Sequence, residues 1–453
     1  MLARYFKFQE NGTTTRIEIG AGITTFVTLA YIVFVQPAVL SGKMFGMDTG
    51  MDPGAVMVAT CLVGALATFI MGVYANYPIA QAPGMGENFF FVFTVIPAAG
   101  ALIAARGWLH TSPWQIALGV VFIAGVLFLI LSLLKVRRVL IDSVSPSLKN
   151  GIAVGIGIFI AFIGLQNARI IVASPGTLVK LTDDIANWDV LVFGVGLLVM
   201  AVLYTRKVRG AILIGIIAGM AVSLLLGKVA YSGIISAPPS PAPTFLKMDL
   251  IHALAFQLWP YILIFLFMDI FDTMGTLIGV AEQAGLIRNN RLPRAGKALL
   301  SDAVGTVVGA AMGTSTVTSF IESSTGVAHG GRTGFTSVIT AACFLFALFF
   351  SPLVAMVANY PPITAPALVV VGAMMIRNVV KIDWDDFTEC FPAFLVIIGI
   401  PLSYSIADGI AWSFISYPLV KLFSGRRRDV SWVMYLVAGL FLLRYLLPYF
   451  GWV

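Results

Sequence analysis

The chain has 453 residues, of which 59% are hydrophobic and 11% charged, and its mean hydropathy is +0.96. A soluble protein of this length needs far more polar surface, so that class is excluded. The net charge of +7 is spread over many short loops rather than one patch. That excludes a nucleic-acid-binding face and fits the gathering of Lys and Arg on the cytoplasmic side of a membrane.

The start, "MLARYFKFQENGTTTRIEIGAGITTF", has no small-residue cleavage site after a short apolar core, so no removable signal peptide is expected. Apolar segments fall at about 17–41, 54–74, 79–97, 114–135, 147–167, 188–205 and 210–231. A Pro-rich loop, "SAPPSPAPTF" (236–245), separates them from segments at about 257–285, 297–312, 313–330, 333–358, 362–377, 389–404 and 406–423. Most approach the roughly 20 residues that cross a bilayer core about 30 Å thick. The pattern predicts an all-α polytopic membrane protein, with seven segments followed by seven more. A last apolar stretch, about 430–450, breaks the parity. It is expected to lie in the interface with Arg444 snorkelling, or to form an extra span.

With the N-terminus placed in the cytoplasm, 21 of the 28 Lys and Arg fall inside. Six fall outside (Lys43, Arg106, Arg169, Lys180, Lys228 and Lys247), and Arg444 is unassigned. This asymmetry follows the positive-inside bias. An odd number of spans per half gives the halves opposite orientation, the architecture of inverted-repeat transporters. "CLVGALATFIMG" at 61–72 and "DAVGTVVGAAMG" at 302–313 share Val, Gly, Met and Gly in register, although small residues recur at helix interfaces in any case. Cys61, Cys343 and Cys390 lie in or beside apolar segments, and no disulfide framework follows.

The third segment of each half is unusual. "YPIAQAPGMGENFFFVFTVIP" carries Pro78, Pro83, Gly84 and Gly86, and "GTSTVTSFIESSTGVAHGG" is rich in Ser, Thr and Gly. Each reads as an extended start followed by a short helix. Irregular backbone at membrane depth survives only when buried in protein or lining a cavity. Two such segments in corresponding positions point to a binding site.

Carboxylates inside a membrane cost roughly 2.5–3.5 kcal/mol each on insertion scales. Few occur here: Glu87, Asp269, Asp272, Glu282 and Glu322. Asp302 and Glu18 lie near segment ends, where structural roles dominate. In "FLFMDIFDTMGTLIG" (265–279), Asp269 and Asp272 are three apart and share a helix face, competing for ionisation; helix-to-helix hydrogen bonding is their alternative role. Thr276, a turn after Asp272, either bonds back to its own helix or contacts a ligand. Glu322 opens the second short helix, beside free backbone N–H groups that attract negative charge. Ser323, Ser324 and Thr325 either cap that helix or contact a ligand. Glu87 and Asn88 hold the matching place in the first half. Asn88 both donates and accepts, which suits a heterocycle edge or a helix cap. Phe89 is the nearest aromatic to the break and is placed to stack on a flat ligand, with core packing as the alternative.

His110, His252 and His329 are isolated, so no metal site is expected. There is no Walker A pattern, no G-x-S-x-G elbow and no recognisable nucleophile–base arrangement. Neither an enzyme, nor an ATP-driven pump, nor a cofactor is expected. Energy would come from an ion gradient, with buried carboxylates as proton handles.

"NGTTTRIEIGAGITTFVTLAYIVFVQPAVLS", "YPIAQAPGMG", "FDTMGTLIGVAEQAGL", "ESSTGVAHGGRTGFTSV" and "ITAPALVVVGAMM" together resemble the nucleobase–cation symporter-2 family. Within it they are most similar to the AzgA-like purine permeases of the hypoxanthine/guanine branch. The resemblance spans nearly the whole chain apart from its ends. It implies fourteen spans as two inverted repeats of the uracil-carrier-like fold, with short strands in spans 3 and 10. A core domain would hold spans 1–4 and 8–11 (1–140 and 257–360), and a gate domain spans 5–7 and 12–14 (141–235 and 361–425). An inter-repeat loop (236–256) and a C-terminal segment (426–453) complete the chain; the stretch 430–450 has no counterpart in the uracil carriers. The resemblance further implies proton-coupled uptake of purine bases by elevator-type alternating access in the cytoplasmic membrane, by a homodimer joined through its gate domains.

The family's binding residues carry over onto Asn88, onto Asp269 and Asp272, and onto Glu322. Uracil carriers have a Glu and then a His one turn later in span 8. Here Asp272 and Thr276 stand in those places, so a His-based proton step does not carry over. Glu87 departs too, from a position that is commonly apolar, and bears on proton coupling or selectivity. The resulting expectation is that Asp272, Glu322, Asn88, Phe89, Thr276 and Ser323 bind a purine. Asp269, Asp272, Glu322 and Glu87 would couple its passage to protons. A passive facilitator, or an anion transporter of the related sulfate-carrier fold, is the alternative.

Overall fold

The computed structural model describes residues 2–134, 143–286 and 292–446. The stretch "KVRR", part of "RNNRLPRAGK", the end of the last apolar stretch and the Arg444 side chain lie outside the described residues. The first half runs α1 (Thr15–Leu29), α2 (Tyr31–Leu40), α3 (Pro53–Ile70), β1 (Gln81–Pro83), α4 (Met85–Phe90), α5 (Ile96–Arg106), α6 (Pro113–Leu133) and α7 (Pro146–Asn167). A surface hairpin, β2 (Ile171–Ser174) and β3 (Leu178–Leu181), leads to α8 (Trp188–Thr205) and α9 (Ala211–Leu225). The second half runs α10 (Trp259–Gln283), α11 (Ala295–Met312), β4 (Val317–Ser319), α12 (Ser323–Ala328), α13 (Gly334–Ala347), α14 (Ser351–Ala358), α15 (Ala365–Met375), α16 (Phe387–Ser403), α17 (Ile406–Phe423) and α18 (Trp432–Leu446). Among the described residues, eight helical stretches are long and apolar enough to cross a membrane.

Several helices begin where a capping side chain precedes a proline, whose missing N–H and fixed φ suit the first helical position. Asp52 accepts from the Ala55 amide at 2.7 Å ahead of Pro53. Ser145 accepts from the Leu148 amide at 3.2 Å ahead of Pro146. Gln115 completes a capping box with Ser112 ahead of Pro113. Glycines then let helices approach closely. A Cβ on Gly72 would sit 2.5 Å from the Gly334 carbonyl oxygen, and one on Gly157 would sit 2.9 Å from that of Gly372. The second contact brings α7 against α15, and α7 also packs on α16, while α17 packs on α16 and α18. The two matched segments lie in α3 and α11, which pack on each other, with a Cβ on Gly305 placed 2.9 Å from Ala67.

The two broken segments meet. β1 and β4 pair antiparallel, Gln81 with Ser319, Ala82 with Thr318 and Pro83 with Val317. All six residues are buried, so the outward-facing backbone groups of this ribbon need partners. Hydroxyls supply them. Thr68 accepts from the Gln81 amide at 2.8 Å and donates to its carbonyl at 2.9 Å. Thr306 accepts from the Val317 amide at 3.0 Å, and Thr273 from the Ser319 amide at 3.2 Å. Ser323 accepts from the Ala80 amide at 2.9 Å. It does not cap α12, whose N-cap is Glu322 with no side-chain cap bond. The first broken segment also runs further than expected, since a wide π turn (Phe91–Val95) joins α4 to α5 and carries the helix to Arg106.

Candidate functional site

Immediately beyond the ribbon, α4 and α12 begin, and residues at their starts, Gly86 and Glu87 of α4 and Ile321 and the N-cap Glu322 ahead of α12, face a cavity of about 740 Å³. Glu87 and Glu322 line it from these two short helices, and Asp272 and Thr276 line it from α10. The remaining walls come from α7, α15, α17 and α18, so the cavity lies where the two packed groups of helices meet. Lys149, Arg377 and Lys381 also line it, Lys149 with its ammonium 4.9 Å from the Phe271 ring centroid.

Glu322 is 7% exposed, and its Oε1 accepts from the Tyr31 hydroxyl at 2.9 Å. Asp272 opens onto the cavity. The Glu87 carboxylate folds back over Gly84, where a side chain would collide with it. Three carboxyl groups thus surround one space. Among the described residues, no group of three or more His, Cys, Asp or Glu is arranged to hold a metal ion.

The other expected residues stand behind this surface. Asn88 is fully buried, and its amide is engaged by Gln36 and Ser315. Gln36 Nε2 donates to Asn88 Oδ1 and to Thr314 Oγ1, both at 2.9 Å. Neither a helix-capping bond nor a cavity-facing amide is found for Asn88. Phe89 is also fully buried, away from the cavity, in a cluster with Phe45, Phe93 and Phe159. The rings that do face the cavity are Phe267, Phe271, Phe414 and Phe441. Asp269 points away from the cavity, and its Oδ2 accepts from Thr306 at 2.9 Å. Ser323 is used by the ribbon, and Glu282 is exposed.

Three participants are not anticipated by the sequence reading. Tyr31 and Gln36 lie in "YIVFVQPAVL", where Gln36 is the only amide in an otherwise apolar decapeptide, a signal that could have been read. Asp302, read as a segment-end residue, is fully buried. It accepts from Gln81 at 2.8 Å and from Thr273 at 2.8 Å.

Residues 16–411 match a permease family, Xan_ur_permease. The chain belongs to this permease family. Its members include close relatives over nearly full length. The guanine/hypoxanthine permease PbuG of Bacillus subtilis is 44% identical, over 98% of this chain and 99% of its own. The adenine permease AdeP of Escherichia coli is 42% identical, over 98% and 96%. The transmembrane domain of a cyanobacterium bicarbonate transporter, BicA, shares the fold at a TM-score of 0.60 and 17% identity, over 88% of this permease and 96% of that chain. The resemblance seen in the sequence therefore stands at the level of the family, and the helical polytopic architecture stands with it. The chain is a permease rather than an enzyme.

Proposed function

We propose that this permease carries purine nucleobases across the cytoplasmic membrane together with protons. The observation that carries the reading is the cavity itself, in which Glu87, Asp272 and Glu322 converge from two short helices and α10. A purine presents ring N–H and amino donors along one edge, and carboxylates accept such donors in pairs. Asp272 and Glu322 take those donors, and Thr276 bonds the adjoining acceptor. Phe267 and Phe271 provide apolar faces in place of Phe89. Asn88, Phe89 and Ser323 hold the short helices in position. Protons enter through the coupled acids, with Asp269 as the organiser behind Asp272. The names of the relatives support purines as the class, with hypoxanthine and guanine first and adenine open.

The chain is read as fourteen spans in two inverted repeats, with the N-terminus cytoplasmic. The core domain (1–140 and 257–360) carries the acids, and the gate domain (141–235 and 361–425) supplies the facing wall. Their relative movement exposes the cavity to each side in turn, in a homodimer joined through the gate. An anion carrier is the second reading, favoured by Lys149, Arg377 and Lys381 on the lining. Three carboxylates on the same lining oppose it. The test is uptake of labelled hypoxanthine and adenine against a concentration gradient. Accumulation that collapses with a protonophore supports coupled transport. Equilibration insensitive to the protonophore indicates a facilitator.

A further inference from the structure

Helix α18 follows the last span of the second half. A tail helix in the interface would show its apolar face to lipid, but this face is turned inward: Met434 is 1% exposed, Val437 4% and Phe441 3%. Val437, Leu440 and Phe441 line the cavity that also holds Asp272 and Glu322.

The helix is secured at both ends. At its start, Ser431 donates to the Ser143 carbonyl at 3.2 Å. Just before it, Arg426 bonds Asp386 at 2.6 Å and Asp429 at 2.9 Å. At its far end, the Tyr445 hydroxyl donates to Asp408 of α17 at 2.7 Å. An aromatic track then joins it to the acidic part of the cavity. Phe271, the neighbour of Asp272, stacks on Phe267 with centroids 5.8 Å apart. Phe267 meets Phe414 edge-on at 6.2 Å, and Phe414 meets Phe441 edge-on at 6.1 Å. All four rings line the cavity.

We propose that α18 is a wall of the substrate cavity and that Phe441 is a specificity-determining residue, limiting the apolar bulk a bound purine can carry; this rests on the purine reading above. A rigid ring at the end of an aromatic wall excludes substituents by packing, and apolar pockets discriminate roughly 10- to 200-fold per methylene-sized group.

The test is competition of labelled hypoxanthine uptake by unsubstituted purines and by a panel carrying an alkyl group at each ring position in turn, in wild type, F441A and F441W. F441A is expected to improve inhibition by at least one alkyl purine about tenfold relative to the unsubstituted base. F441W is expected to worsen it. Ratios unchanged in both variants overturn the proposal. If F441A loses uptake altogether, F441C is labelled with a small maleimide. Protection by saturating hypoxanthine supports the wall, and labelling indifferent to hypoxanthine overturns it. A wild-type protein that takes up no purine counts against the transport reading instead.

Discussion

The Tyr31 hydroxyl donates to Glu322 Oε1 at 2.9 Å, joining positions 291 residues apart. It ties α2 to the N-cap residue of α12 and fixes one carboxylate oxygen, leaving the other for a ligand. Tyr31→Phe should therefore raise the KM for purine uptake about 3- to 10-fold, the range of a single hydrogen bond, with little change in maximal rate. Saturable uptake at matched protein levels measures this, and an unchanged KM would remove Tyr31 from the site.

Gln36 fills a different role, because it touches Asn88, Thr314 and Ser315 but not the cavity. Gln36→Leu strands the buried Asn88 and Thr314 groups, which costs about 1–3 kcal/mol each when unpaired. The purified variant should melt several degrees lower. A melting temperature equal to wild type would show that water or a rearranged amide takes the place of Gln36.

Asp269 and Asp272 should separate cleanly. Asp272 faces the cavity, so Asp272→Asn should raise KM by tenfold or more, the scale of a charged hydrogen bond. Asp269 is buried against Thr306, so Asp269→Asn should keep KM within about twofold while shifting the pH profile of maximal uptake. The reverse pattern would exchange their roles.

In the last turn of α17, Lys421 is 1% exposed and bonds Glu389 at the start of α16 at 2.8 Å, with Asp386 at 3.6 Å. Removing one partner of such a pair leaves a buried charge uncompensated, so Lys421→Met should destabilise the protein by about 3–5 kcal/mol. Adding Glu389→Gln should recover part of that loss. The Thr388 hydroxyl, with Arg426 and Lys421, holds the Asp386 carboxyl well below its ordinary range. A depressed folded value means that the stability it contributes is present above the unfolded value of about 3.9. It is lost as the pH falls through the lower folded value. Asp386→Asn should remove this acid-side dependence, as read by melting temperature across pH.

Much of the site is legible in one dimension because breaking a membrane helix leaves a compositional mark. Pro78, Pro83 and Gly84 in one segment, and the Ser/Thr/Gly run before Glu322 in the other, announce extended backbone. That backbone has to be buried, and here the two segments pair with each other. The hydroxyls that make the pairing tolerable are less visible. Thr68, Thr273 and Thr306 sit in apolar runs where a Thr also serves as a packing residue, and only the fold shows that each meets a strand edge. The placement of Phe89, buried away from the cavity, is hidden for a related reason. Proximity to the break does not say which face of α4 meets the cavity, and that face carries Glu87 instead. For the tail helix, the broken parity leaves an interfacial helix and an extra span both open. Its inward-facing side chains become apparent only when Phe441 is placed against Phe414.

The central claim is that Glu322 binds a purine inside this permease. The most direct test is saturable uptake of labelled hypoxanthine by Glu322→Ala, in cells lacking their own purine carriers, with the variant's amount at the membrane matched to wild type. The account predicts that saturable uptake is abolished while the protein remains folded and inserted. Normal uptake with an unchanged KM would contradict it.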